Sequence, residues 1–289
     1  MIDSALGDDS LPPKLGVRLG LTTVDVSDGL AVLALLLAAV AGAVGLFVPD
    51  LYRDSPEMVR QARATDLVTL TAAAPALGLA LWRARRSGSA RARMVAIGAL
   101  GYLAYNYAIY GFSVVINPAT PIHLAILGLA SWSLVLTVAG IDDATLDRTT
   151  RLRLPRRTTS GLLITVATLF AMLWLSQIAG SIISNRLPAA VSDLNLPTSA
   201  IYALDIAFAL PFLALSGTWL IRHDRRGPAS ALTALCWLVL MGLSVLSIFG
   251  IDAAAGITVD VVPVGIFAVI TGAAATLVVG AVISARNAR

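Results

Sequence analysis

The chain is poor in most of what soluble catalysis uses. It has one cysteine, Cys236, and two histidines, His123 and His223. Glu57 is its single glutamate and Lys14 its single lysine. A lone thiol inside an apolar run makes no intramolecular disulfide and no two-cysteine metal or redox pair, so Cys236 reads as a small buried apolar residue. There is no His-Glu-x-x-His, no second histidine inside the apolar runs to ligate a haem, and no thiolate- or carboxylate-rich ligand set, so no metal site is expected. No GxxxxGK[ST] phosphate loop occurs. Ser131 and Ser133 approach His123 in spacing alone, which is weak ground for a nucleophile and base. No cofactor is expected, and an enzyme is the less favoured class.

Charge is scarce as well. Only 13% of the 289 residues are charged and 57% are hydrophobic, where a soluble domain is about a quarter charged. Too few charges remain to cover a water-facing surface, so much of the surface must face lipid. The net charge of +4 does not point to nucleic acid, because the arginines flank the hydrophobic runs. Nearly every basic residue is Arg and every acidic one but Glu57 is Asp, a bias that a GC-rich bacterial genome would produce.

The sequence predicts an all-α, polytopic transmembrane bundle of about eight spans. Runs long enough to cross a bilayer, roughly 20 apolar residues each, are Leu30–Val48, Asp66–Trp82, Met94–Ile116, Ile122–Ile141, Gly161–Ile183, Ala200–Ile221, Ala231–Ile251 and Val261–Ser284. They do not alternate as β-barrel strands would. Residues 1–28 are polar and acidic and lack a signal peptide's basic start, so they read as a cytoplasmic tail before one membrane domain, 29–285, with 286–289 as a cytoplasmic C-terminus. Eight spans put seventeen Lys and Arg on one side and four on the other. The positive-inside rule then places both termini in the cytoplasm of a bacterial plasma membrane.

Small residues recur on the first run (Ala38, Ala41, Gly42, Gly45) and the last (Gly265, Gly272, Gly280), and are expected to serve helix packing. Pro75, Pro211 and Pro263 are expected to interrupt the second, sixth and eighth spans. Pro118–His123 echoes Pro197–Tyr202 at a spacing of 79, which suggests either a weak internal repeat or two good helix starts.

Polar groups inside a membrane are costly unless paired or wet, so each is a candidate for function. Tyr102, Asn106, Tyr110, Ser113 and Asn117 fall within about 80° of one another at 100° per residue, forming one stripe on the third span. Trp174, Gln177, Ser181 and Ser184 form a second, and Thr198, Tyr202 and Asp205 a third. Asp205 is expected about 7 Å inside a helix end, where a carboxylate needs Arg, His or water beside it; His123 or Arg186 are the expected partners. Asp66, after Thr65, reads as a helix cap, and Arg53-Asp54 as a loop ion pair. A polar, outward-facing pocket among spans two to six is inferred, with Asp50–Thr65 as its lid. The candidate binding residues are Arg53, Asp54, Asp66, Tyr102, Asn106, Tyr110, Asn117, His123, Gln177, Tyr202 and Asp205, with Arg53 or Arg63 as a gate.

Four segments carry a resemblance: Phe47–Asp54, Gln61–Leu70, Tyr105 through His123, and Leu196 through Asp205. Through them the chain resembles a family of uncharacterised bacterial multi-pass membrane proteins, from the first span onward. That family brings no known activity and no functional residues.

The expected partners are the lipid bilayer, a small-molecule or ion ligand, and a membrane-protein partner or a second copy. The expected role is a permease or binding protein. A structural subunit of a membrane complex is the alternative, and an intramembrane enzyme acting on a lipid or quinone through His123 and Asp205 a third.

Overall fold

The computed structural model describes residues 22–283, and among these every regular element is helical. The long helices are α1 (Thr23–Phe47), α2 (Pro56–Ser87), α3 (Ala90–Ser113), α4 (Thr120–Ala139), α6 (Arg156–Ser184), α8 (Ala200–Ile221), α9 (Gly227–Ala254) and α10 (Val261–Ile283). Two short ones, α5 (Asp143–Thr150) and α7 (Ala189–Ser192), lie in connections. Seven of the long helices, all but α3, are long and apolar enough to cross a membrane, the make-up of an integral membrane protein.

The starts of α1 and α2 follow caps rather than apolar runs. Thr22 and Asp25 form a reciprocal capping box, so α1 begins seven residues before Leu30, inside the segment expected to be tail. Ser55 accepts from Met58 N and Pro56 opens α2. The stretch Pro56–Thr65, expected as a lid loop, is therefore helix. Its polar side chains hid it from the apolar count. Asp66 is an interior residue of α2, not a cap. At the other end, α3 stops at Ser113, so Asn117 lies in the connection, where its side chain accepts from Ala119 N. The C-terminal segment 286–289 lies outside the described residues.

The bundle has two halves of four long helices, α1–α4 and α6, α8, α9, α10. Each has its own apolar core, and the cores meet where α3 packs on α9. At this seam a Cβ on Gly98 would sit 2.7 Å from Thr233 O and 2.8 Å from Cys236 Cβ, so the absence of a side chain sets the helix spacing. Cys236 is buried in that crossing, as a small apolar residue would be. α3 is central: α4, α9, α2 and the start of α8 surround it. It can be less apolar than its neighbours because it meets protein, not lipid, on most sides.

The second helix of each half carries the same irregularity. A π turn spans Thr69–Ala73 in α2 and Asp205–Ala209 in α8. Ala74 N bonds back to Thr69 O, and Leu210 N to Asp205 O. Pro75 and Pro211 come next, so turns and prolines alike lie 136 positions apart (69 to 205, 75 to 211). A proline ring clashes with the carbonyl four residues back, and a widened turn moves that carbonyl away. This is the internal repetition of the fold. The echo at 79 joins α4 to α8, which hold different places in their halves, and is two helix starts. Pro263 lies in the first turn of α10 and interrupts nothing.

On α1 the small face packs as expected: Ala34, Ala38, Ala41, Gly42 and Gly45 are buried. On α10 the expectation fails. The buried face is Ile270, Thr271, Ala274 and Ala281, while Gly265 and Gly272 are exposed. Asp28, assigned by sequence to the tail, is buried on α1 and pairs with Arg85 at 2.9 Å and Arg93 at 2.5 Å. It ties the ends of α2 and α3 to α1.

Candidate functional site

Besides Asp28, which is paired with arginines, two carboxylates are buried among the long helices, one in each half, and α3 supplies a tyrosine to both. In the first half Asp66 accepts from Tyr52 Oη at 2.6 Å and from Tyr110 Oη at 2.8 Å. Tyr110 stacks on Tyr107 and lies against the His123 ring, with centroids 4.6 Å apart in the second pair. Gly45 makes this packing possible: a Cβ there would overlap the Asp66 carboxylate and lie 2.6 Å from Tyr52 Oη.

In the second half Asp205 accepts from Tyr105 Oη at 2.8 Å and from Trp174 Nε1 at 2.7 Å. Neither His123 nor Arg186, the expected partners, reaches it. His123 is in the other half, and Arg186 is exposed beyond the end of α6. Two neutral donors hold the carboxylate, with no cation in ion-pair range among the described residues. Its oxygens keep spare lone pairs. Tyr202 donates to Gln177 Oε1 at 2.5 Å, and its ring lies 5.1 Å from Trp174, so α6 and α8 are joined beside Asp205.

Asp205, Tyr105 and Trp174 are in the wall of a cavity of 340 Å³ between the halves. Its remaining wall is mainly apolar, including Phe170, Trp237, Met241 and Phe267; Gln61, Thr65, Asn106 and Tyr110 add polar edges. The sequence led us to expect a polar pocket among spans two to six. Instead α2, α3, α6, α8, α9 and α10 line it, and α4 does not. The difference comes from packing: α1 and α4 close the first half, whereas the corresponding α6 and α10 touch only lightly.

The stripe on α3 divides among partners. Tyr102 hydrogen-bonds Ser244 of α9 (2.7 Å), Asn106 Nδ2 donates to Tyr102 O and lies 3.5 Å from Met241 Sδ, and Tyr110 reaches α2. Asp205, Asn106 and Tyr110 are thus brought to the cavity. Asp66 stands behind Tyr110, and Tyr202 and Gln177 behind Trp174. Asn117 shapes the α3–α4 turn. Asp54 accepts from Val115 N at 2.8 Å instead of pairing with Arg53, and Arg53 and Arg63 are exposed away from the cavity. Sequence reasoning missed Tyr105, which is not among the candidate residues. Its signal was a crowding of four tyrosines on one helix, Tyr102, Tyr105, Tyr107 and Tyr110, too many for a single face.

Comparison with protein-family models, with curated proteins and with solved structures finds no match to this chain.

Proposed function

We propose that this chain is an eight-span integral membrane protein, with both termini cytoplasmic in a bacterial plasma membrane, that binds a small amphipathic molecule between its halves as a receptor or permease. The ligand class is an organic cation or a strong hydrogen-bond donor with an apolar body. The observation that carries this reading is Asp205: a carboxylate with no cation in ion-pair range among the described residues, held by two neutral donors, in the wall of a mainly apolar cavity. A ligand cation or donor would meet the charge that the protein leaves uncompensated. The volume is at the small end of the range for ligand sites.

Span count and orientation have separate support. At 24 residues α3 is about 36 Å long, enough to cross a hydrocarbon core of about 30 Å. Counting it puts the arginine-rich connections 83–93, 148–157 and 222–226 on one side, which the positive-inside rule assigns to the cytoplasm.

The test is a thermal-stability screen of the purified protein against amphipathic amines and alcohols. A hit should raise the unfolding midpoint of the wild type and lose its effect in Asp205→Asn, whose amide oxygen still accepts from one of the two donors. Val245→Trp, which fills the cavity from α9, should block the same hit. An unchanged response in Asp205→Asn would remove the role given to this residue.

A further inference from the structure

The arginine-rich end of the bundle holds a second concavity, of 1060 Å³, between α2, the start of α3, α5 and the end of α10. Five arginines border it: Arg83, Arg86, Arg91, Arg148 and Arg151. Elsewhere at this end four arginines are neutralised, Arg85 and Arg93 by Asp28, Arg225 by Asp143 and Asp147, and Arg226 by Asp224, whereas Arg153, Arg156, Arg157 and Arg222 have no carboxylate partner among the described residues but do not border the groove. None of the five around the groove has a carboxylate partner among the described residues. Arg91 and Arg148 donate only to the backbone carbonyls of Val282 and Gly88, and Arg86 lies 5.6 Å over the Trp82 ring. Below this rim the groove is apolar, with Leu79, Val95, Val278 and Val282 from three helices.

Guanidinium groups above an apolar trough match a molecule with phosphate at one end and hydrocarbon at the other. Arginine binds phosphate oxygens in a two-pronged geometry, and basic pockets between membrane helices at the cytoplasmic face suit anionic headgroups. Trp82 sits where an interfacial tryptophan would lie beside a glycerol backbone. We infer that this groove is a binding site for an anionic phospholipid, its phosphate held by Arg83, Arg86 and Arg151 and one acyl chain lying along α2 and α10. The inference rests on the membrane reading of the chain and not on the ligand cavity at Asp205.

The full chain, purified in a neutral detergent, is titrated with phosphatidylglycerol, phosphatidylcholine or inorganic phosphate. Thermal unfolding is followed, and retained lipid is counted by native mass spectrometry. Phosphatidylglycerol should raise the midpoint and be retained in small whole numbers; phosphatidylcholine and phosphate should do neither. Arg83→Gln/Arg86→Gln/Arg151→Gln should weaken phosphatidylglycerol binding roughly a hundredfold, at about fivefold per arginine near an anionic headgroup. The control Arg153→Gln/Arg157→Gln/Arg222→Gln removes the same charge from the same end outside the groove and should change binding less than threefold. If the first triple variant does not fold, Arg83→Gln and Arg151→Gln alone should each show the fivefold loss. Equal losses in the two triple variants would mean diffuse surface charge and overturn the site. Stabilisation by phosphatidylcholine or by phosphate to the same extent as phosphatidylglycerol would overturn it too.

Discussion

Gly45 gives the sharpest test of how the first half is packed. Placing a methyl group there, in Gly45→Ala, should stabilise the helix by about 1 kcal/mol on propensity alone. The structure opposes this. The new Cβ would occupy the space of the Asp66 carboxylate and lie 2.6 Å from Tyr52 Oη. Asp66 would have to leave one or both tyrosine hydroxyls, each bond to a charged acceptor contributing about 1.5–3 kcal/mol, or the helices would have to part, at about 1–3 kcal/mol for overpacking. The net expectation is a loss of about 2 kcal/mol, read from reversible unfolding in detergent micelles. Gly128→Ala is the reference, because a Cβ there meets nothing within 4 Å; it should be neutral or mildly stabilising. The cycle with Asp66→Ala makes the test specific. Once the carboxylate is gone, Gly45→Ala should cost much less, because only Tyr52 Oη still meets the new Cβ and its ring can move into the vacated space, a coupling that additive effects would not give. If Gly45→Ala behaves like Gly128→Ala, or if the two substitutions simply add, the close fit of α1 against Asp66 is wrong.

Asp28→Asn should destabilise the protein by about 2–3 kcal/mol, because it leaves Arg93 without its buried partner, and the loss should shrink at high salt, since Arg85 is half exposed. Gly98→Val should force α3 and α9 apart at Thr233 and Cys236 and lower the unfolding midpoint more than Gly101→Val, where the nearest atom is 3.6 Å away. Cys236 should resist maleimide in the folded protein and react on unfolding. In a Cys236→Ser background, Ser87→Cys should be labelled by an impermeant maleimide only from the cytoplasmic side, and Ser184→Cys only from the opposite side; the reverse pattern would invert the proposed orientation.

Apolar length and the asymmetry of arginines made the helical architecture legible, because lipid sets the length of a helix and a basic flank marks its end. The starts of α1 and α2 were not legible by that measure. Thr22 and Ser55 cap them in polar sequence, and hydropathy does not see a cap. Asp205 stood out because a carboxylate deep in an apolar run has few explanations. Its partners did not, because Tyr105 and Trp174 come from helices remote in sequence. Asp66 and Asp28 were misread for one reason: each lies within a turn or two of where the apolar run begins, and only the true helix start shows that it is interior. The 136-residue repetition left one mark in the sequence, a proline in the second helix of each half. The two π turns that define it depend on backbone geometry.

The central position of α3 bears on how such a chain is made. Its sides face other helices, so it is the long helix least able to hold itself in lipid while the rest is still being synthesised. Only Gly88 and Ser89 separate it from α2, and five arginines crowd that junction. On the proposed eight-span orientation, a pair so joined would enter the bilayer as one hairpin with its basic bend on the cytoplasmic side. The tyrosines of α3 reach Asp205 and Ser244 only when α8 and α9 have followed, so the cavity is completed late.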